Sequence, residues 1–475
     1  MIRLHPRPLV VVLLLAAFLL LPSMASVGMF MDGTIYAAIS RNLAEGVGSI
    51  WSLHFSDGLF PVFREHPPLV FWLQSLFFCL LGDSYLTERA YDLVVVLMTA
   101  VLMIALWRRM TAACRLNSLA AYWWLPLLLW VVVPKWSWTY RNNMLESTLT
   151  AFCLMAVLLM LGGLRSASTR GAVVRAATAS LATLLAFLAK GPVALFVLAA
   201  PLLLGPAVFG VDQRRTFLVM VTLLAGFAAL LGLLLAWPDA FEMLAAYWQK
   251  QVVGRSGFSL IDAGLLTELA KKLAVMLLVL LGLRAWIGRG QPGGWLRPVR
   301  APVFAMLALG LAASLPLALG DLDSAHYLAP ALPFFAIGFG LAGASMLDFA
   351  GERFRQALSA RPGKTFLAVS AAVALAVLAL SLSRIGEVRK NEEYHAFLAQ
   401  VDKVTGGSTT VAVDPSLYRD WYLHAIAMRH HRIGLASKRE TAAWLLLKAE
   451  ARPPPGYRPT GVQNDMWQLW RRGAD

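Results

Sequence analysis

Apolar runs of about twenty residues recur along most of the chain, and no other feature limits its fold so strongly. In lipid a segment must satisfy all its backbone N–H and C=O groups internally, so such runs become helices. Candidate spans lie near 9–27, 86–107, 117–134, 144–163, 177–189, 192–209, 216–237, 270–287, 301–319, 326–347 and 365–383, about eleven in all. The expected fold class is therefore an all-α polytopic membrane protein. Hydrophobic residues make up 59% of the 475 and charged residues 15%. Soluble domains carry about 25% charged residues, so a soluble enzyme, a coiled coil and a disordered chain are excluded. The net charge of +15 fits cytoplasmic loops and contact with anionic lipid or phosphate, and no nucleic-acid partner is expected. Cys79, Cys114 and Cys153 lie in apolar runs with neither metal spacing nor a disulfide framework.

Loop charge orients the spans, because cytoplasmic loops carry the excess of Lys and Arg. Arg3 and Arg7 place the N-terminus in the cytoplasm. Alternation then puts five connections on that side: Arg108, Arg109 and Arg115; Arg165, Arg170 and Arg175; Arg214 and Arg215; Arg289, Arg297 and Arg300; Arg353, Arg355, Arg361 and Lys364. Every one is basic. Residues 67–82 are apolar but short, and spanning there would move Arg108, Arg109 and Arg115 outside, so they read as a surface helix within one long outer loop, 28–85. The N-terminus also looks like a secretory signal, but an uncleaved first span anchors that loop better. The membrane module is expected over 1–383. From about Arg384 polar residues become frequent, and 384–475 reads as a small periplasmic α/β domain. Its expected strands are 409–413, 442–449 and 466–472, with a helix over 418–431.

The outer loops collect the unusual polar residues. Asp32, Tyr36, Arg41, Arg64, Glu65 and His66 lie in the first, Arg141 and Glu146 in the next, and Lys190 breaks two apolar runs as Lys190-Gly191-Pro192. Arg255 follows Gln251, and His326-Tyr327 precede another span. Ionisable residues at membrane depth are costly, which makes them functional candidates. By position alone, Asp32 reads as a helix N-cap and Glu146 as a charge at a helix start. Lys190 reads as a snorkelling anchor, His66 as structural, and His430 and His431 as solvated surface.

In order and placement these residues resemble the GT-C glycosyltransferases, above all the protein O-mannosyltransferases and the bacterial aminoarabinose lipid A transferases. The resemblance runs from Asp32, Tyr36, Arg41 and Trp51 through His66-Pro67-Pro68-Leu69 and Trp72. It continues with Arg141 to Glu146, Lys190-Gly191-Pro192, Gln251 to Arg255, and His326-Tyr327-Leu328 with Pro330. It spans roughly residues 10–350. It implies transfer of a sugar from a polyprenyl-phosphate donor to lipid A, another envelope glycan or a protein, at the periplasmic face of a bacterial inner membrane. By resemblance Asp32 is catalytic, Glu146 is the assisting acid, and Lys190, Arg255 and His326 lie near the lipid phosphate. Tyr36, Arg41, Arg64, Glu65, His66, Arg141 and Tyr327 complete the expected substrate-binding set. Gly33 stands where the family often has a second acid, and Gln251 where some relatives have a metal-holding histidine. The sequence thus supports no metal or other cofactor. The competing class is a transporter or flippase of lipid-linked sugars, which would also carry charges at depth but nearer the mid-membrane.

The chemistry suits one base. A phosphate leaves as a stable anion and needs no general acid, whereas glycosidases use paired carboxylates partly because an alcohol departs. One carboxylate to take the acceptor's proton, with cations opposite the departing phosphate, suffices for displacement with inversion.

Overall fold

The computed structural model describes residues 6–254, 262–287, 294–319, 324–351, 356–358, 360–407, 409–437 and 442–473. Eight helical stretches among them are long and apolar enough to cross a membrane. They make the protein a multi-pass membrane protein, although length and apolarity alone do not reach the expected eleven spans. The run at 117–134 is a 3₁₀ turn followed by an eight-residue helix, Trp124–Val131. The run at 270–287 sits in a 25-residue helix, Ala263–Ile287, that carries Lys271 and Lys272. The runs at 177–189 and 192–209 form one apolar stretch, Thr169–Pro206.

The chain divides into two compact units. One comprises Met1–Pro22, Asp92–Tyr140 and Leu145–Leu380; the other comprises Ser23–Tyr91, Arg141–Met144 and Ser381–Asp475. In chain order the helices that matter below are α1 (Pro6–Met24), α2 (Met31–Ala44), α3 (Leu69–Leu81), α4 (Tyr85–Ala113), α5 (Trp124–Val131), α6 (Pro134–Tyr140), α7 (Leu145–Leu164), α8 (Thr169–Lys190), α9 (Ala200–Phe209), α10 (Gln213–Leu235) and α11 (Pro238–Tyr247). After α12 (Ala263–Ile287) and α13 (Arg300–Ser314) comes α14 (Leu332–Phe349), whose span is 94% buried. The span Lys364–Leu382 is only 11% buried, so its apolar side chains are left for lipid.

In the first unit α7 and α8 form an antiparallel pair. Ser168 caps α8 by accepting from Gly171 N at 3.0 Å. Arg109 donates to Leu158 O, Arg175 to Gly162 O and Arg215 to Ser168 O. Three of the basic connections therefore share one end of the bundle. Arg7 likewise donates to Arg361 O, joining two more basic segments. The apolar stretch reverses at Gly191. Gly191 lies against Tyr247 in α11, while Gly205 lies against Thr216 at the opposite end of α10. A nine-residue 3₁₀ segment, Gly191–Ala199, followed by ten residues of α9 covers about 33 Å, enough for a second pass. Gly191 has φ +77°, and a β-carbon there would meet the Tyr247 hydroxyl at 2.1 Å. Only glycine combines that backbone with that approach.

In the second unit α3 is too short to span: thirteen residues rise about 20 Å. It buries Leu69, Val70, Phe71, Gln74 and Phe78 and exposes Leu76, Leu80 and Leu81. The C-terminal segment folds as a five-stranded sheet of order β2-β1-β3-β5-β4, from β1 (Thr410–Val413), β2 (Gly434–Ala436), β3 (Trp444–Lys448), β4 (Tyr457–Gln463) and β5 (Trp467–Arg472). β1 pairs in parallel with β2 and β3, while β5 is antiparallel to β3 and β4. The helix Trp421–His431, capped by Asp420, crosses from β1 to β2. Phe397, Leu398, Val411, Val413, Ile426, Leu446 and Trp467 fill the core. The three expected strands and the helix are present; β2 and β4 are additions, short or exposed enough to lack an apolar signature. The expectation of solvated histidines fails. His430 packs 4.9 Å from the His395 ring and His431 reaches Asp402 at 3.1 Å, because the crossover helix turns this end toward Glu392–Thr405.

Candidate active site

Asp32 stands in the first turn of α2, half-buried, and is not the N-cap; that position is Phe30. The positive end of the helix favours its carboxylate. The start of α2 is held by the segment Arg141–Asn143. Phe30 N donates to Asn142 Oδ1 at 2.7 Å, and Asn143 Nδ2 donates to Gly33 O at 3.0 Å. Asn143 adopts φ +52°, a conformation Asn tolerates better than most residues. Its side chain also accepts from Gln74 Nε2 at 2.7 Å. Arg89 donates to the Arg141 carbonyl and, at 3.0 Å, to Gly28 O, and Arg141 donates to Ser23 Oγ at 3.1 Å. A β-carbon at Gly33 would lie 1.9 Å from Asn142 O. No second acid can stand at 33 while this clamp is closed.

One turn further along the same helical face, the Tyr36 hydroxyl meets His66 Nε2 at 2.9 Å. Pro68 caps α3, fixing the backbone just after His66. Arg64 and Glu65 are half-buried in the same loop. Arg41 does not join this group. It is 1% exposed, and its guanidinium donates to the carbonyls of Arg429 at 2.9 Å and Met428 at 3.1 Å. Burial, then repulsion by Arg429, lowers its pKa to about 10.

A second cluster lies in the other unit, at the bundle end away from Arg109, Arg175 and Arg215. Glu146, in the first turn of α7, is fully buried. Its Oε1 pairs with Lys190 Nζ and lies 3.4 Å from His326 Nε2. Among the described residues its Oε2 has no hydrogen-bond partner. Lys190 ends α8 at 5% exposure, so it does not snorkel to water. It sits 4.5 Å over the Tyr327 ring, and its carbonyl accepts from Tyr247 at 3.3 Å. His326 stacks on Trp138, and Lys135 Nζ lies 3.3 Å from the Trp138 ring centroid. The cluster gathers cations and aromatic faces around one carboxylate, a setting suited to an anion carrying an apolar tail.

Along the chain Glu146 follows Asn143 by three residues, so the clamp on α2 and the acid of the cluster share one short segment. Arg255 lies outside the described residues. The sequence reading gave no role to Asn142, Asn143, Gln74, Arg89, Trp138 or Tyr247. Gln74 carried a usable signal, since a lone amide in LVFWLQSLFF must find a partner once buried. Among the described residues no group of three or more His, Cys, Asp or Glu could hold a metal ion.

The family model for dolichyl-phosphate-mannose-protein mannosyltransferase matches residues 65–237, less than half of the chain. The fold matches ArnT from Cupriavidus metallidurans bound to undecaprenyl phosphate, with a TM-score of 0.63 and 14% identity over 97% of both chains. The apo form of that protein gives 0.62 at 16% identity, over 97% of this chain and 96% of the other. The archaeal oligosaccharyltransferase AglB from Archaeoglobus fulgidus, in complex with an inhibitory peptide and a dolichol-phosphate, gives 0.50 at 13% identity, over 94% of this chain and 69% of its own. No curated protein matches in sequence. The chain thus has an ArnT-like fold, mostly helical, with a small C-terminal sheet domain.

Proposed function

We propose that this chain transfers a sugar from a polyprenyl-phosphate donor to an envelope acceptor, lipid A or another glycan, or to a protein, on the periplasmic side of a bacterial inner membrane. The five basic connections then face the cytoplasm, and segment 384–475 is periplasmic. Asp32 takes the proton of the acceptor hydroxyl as that oxygen attacks the anomeric carbon. The bond from this carbon to the phosphate oxygen breaks, the configuration inverts, and polyprenyl phosphate leaves as an anion. Lys190 balances the charge growing on the phosphate and His326 offers it a ring nitrogen as a hydrogen-bond partner, with Arg255 and Arg141 as further cations of the donor site. Glu146 orients Lys190 and His326, and Tyr327 backs the lysine. Tyr36 and His66, coupled by their hydrogen bond, line the sugar side with Arg64 and Glu65. Arg41 holds the helix that bears the base.

The observation that carries this reading is the clamp on α2: a half-buried carboxylate on a helix start fixed by Asn142 and Asn143 and by the absence of a side chain at 33. Such fixation serves a base that must meet one hydroxyl in one geometry. The test is purified protein with a polyprenyl-phosphate sugar and lipid A. Asp32→Asn should abolish release of polyprenyl phosphate while the melting temperature stays near that of the parent. Wild-type turnover in that variant would refute the assignment. A lipid-linked-sugar transporter would move the donor without cleaving it.

A further inference from the structure

The C-terminal sheet carries a second constellation that the transfer chemistry does not use. Trp444 on β3 pairs directly with Arg471 on β5, and Arg471 pairs directly with Arg458 on β4. Directly paired residues share a sheet face, so an indole and two guanidinium groups stand side by side across three strands. Arg471 lies 5.3 Å over the Trp444 ring. The helix Glu392–Thr405 covers this face as far as Val404. Beyond it opens a groove of about 740 Å³, lined by these residues, Thr460 and Arg472.

Like charges directly opposite each other weaken a sheet. Among the described residues no carboxylate pairs with Arg458 or Arg471. Guarding an open sheet edge against pairing accounts for Arg458 and Pro459 on β4. It does not account for Arg471, which lies on an interior strand. Two forked donors favour an oxyanion bound bidentately, and the indole face beside them favours an apolar surface such as the C–H face of a pyranose.

We propose that this groove binds a phosphorylated saccharide, which under the transferase reading is the anionic sugar of the acceptor. Binding here does not require turnover, so it can be measured whether or not that reading holds. Full-length protein in detergent is titrated with glucose 1-phosphate, inorganic phosphate and glucose, and separately with vesicles of phosphatidylglycerol or phosphatidylcholine. Glucose 1-phosphate should bind more tightly than inorganic phosphate, and glucose should not bind. Arg458→Ala/Arg471→Ala should weaken glucose 1-phosphate binding by about tenfold or more, the loss expected of charged hydrogen bonds. It should melt at or above the wild-type temperature, because a repulsive pair has been removed. Trp444→Leu should erase the preference for the sugar phosphate over inorganic phosphate. Unchanged affinity in the double variant overturns the proposal, as does a lowered melting temperature, which would make the pair part of the fold. Equal affinity for phosphate and glucose 1-phosphate, or binding to phosphatidylglycerol vesicles alone, overturns it in favour of a bare anion site or a lipid surface.

Discussion

Two buried charge clusters in this molecule are built on opposite plans. In the membrane bundle one oxygen of Glu146 pairs with Lys190 and lies 3.4 Å from His326, while the other has no hydrogen-bond partner among the described residues. In the unit built from the first loop and the C-terminal segment, Arg429 is satisfied at every nitrogen. Its Nε and Nη2 reach Glu88 at 3.2 and 2.8 Å, Nη1 reaches Asp83 at 2.6 Å, and Nη2 also reaches Ser84 O at 2.9 Å. Arg432 adds a fork to Glu45 at 2.8 and 2.5 Å. Burial alone would raise the pKa of Asp83, but Arg429 and Arg41 outweigh it and hold the carboxylate below its usual range. A buried polar side chain satisfied at every donor nitrogen, as Arg429 is, fixes an architecture. One left partly unsatisfied keeps capacity for something else, and each orphaned atom needs an explanation. The first pattern fits docking of the C-terminal domain onto the loop that bears Asp32. The second leaves a buried acceptor oxygen open to a donor group.

Removing Arg429 tests the satisfied network and should have the largest effect. Arg429→Met strands Glu88, which is 1% exposed, and should cost about 3–5 kcal/mol in a denaturant titration. A loss below about 1 kcal/mol would dissolve the contrast. Next comes Lys190→Met, which also strands a buried carboxylate, Glu146, and is expected to lower turnover per folded molecule by about 10²–10³ beyond any loss of stability. If stability falls and turnover per folded molecule does not, the bundle cluster is structural too.

Acid should then separate the two regions. Burial holds His395 and His424 near pKa 4, with the charge of His431 a further cause for His395. In the unfolded chain both titrate near 6.5. Between these values the unfolded form binds more protons, so their contribution is intact above about pH 6.5 and lost as the pH falls toward 4. Limited proteolysis from pH 7 to 4.5 should release fragments of 384–475 before the bundle is cut. A pH-independent pattern would contradict this. The smallest effect belongs to Arg432→Ala. That side chain is 41% exposed, and its ion pairs should contribute about 0.2–1 kcal/mol, read as a slight shift in melting temperature that salt also produces.

The sequence disclosed much of this plan where a single physical rule governs. The long apolar runs, the basic loops and the short surface helix at 69–81 follow from hydropathy and charge. Strands 410–413, 444–448 and 467–472 show as compact apolar segments, whereas β2, three residues long, and the exposed β4 do not. The candidate acids and Lys190 stood out because charge at membrane depth is rare. Arg41 stood out for the same reason, yet it serves the carbonyl end of a helix 388 residues away. Its sequence surroundings cannot separate these roles, because both need only a cation beside an apolar segment.

Sequence alone determined that the chain lies in a membrane and which residue types gather in the loops between its apolar runs, since transfer free energies add along a chain without regard to fold. Tertiary structure decided which of those residues become partners. Asn143 reaches Gly33 across 110 positions and Arg41 reaches Arg429 across 388. Hydrogen bonds and ion pairs act over a few ångströms, and only the folded path of the backbone sets such distances.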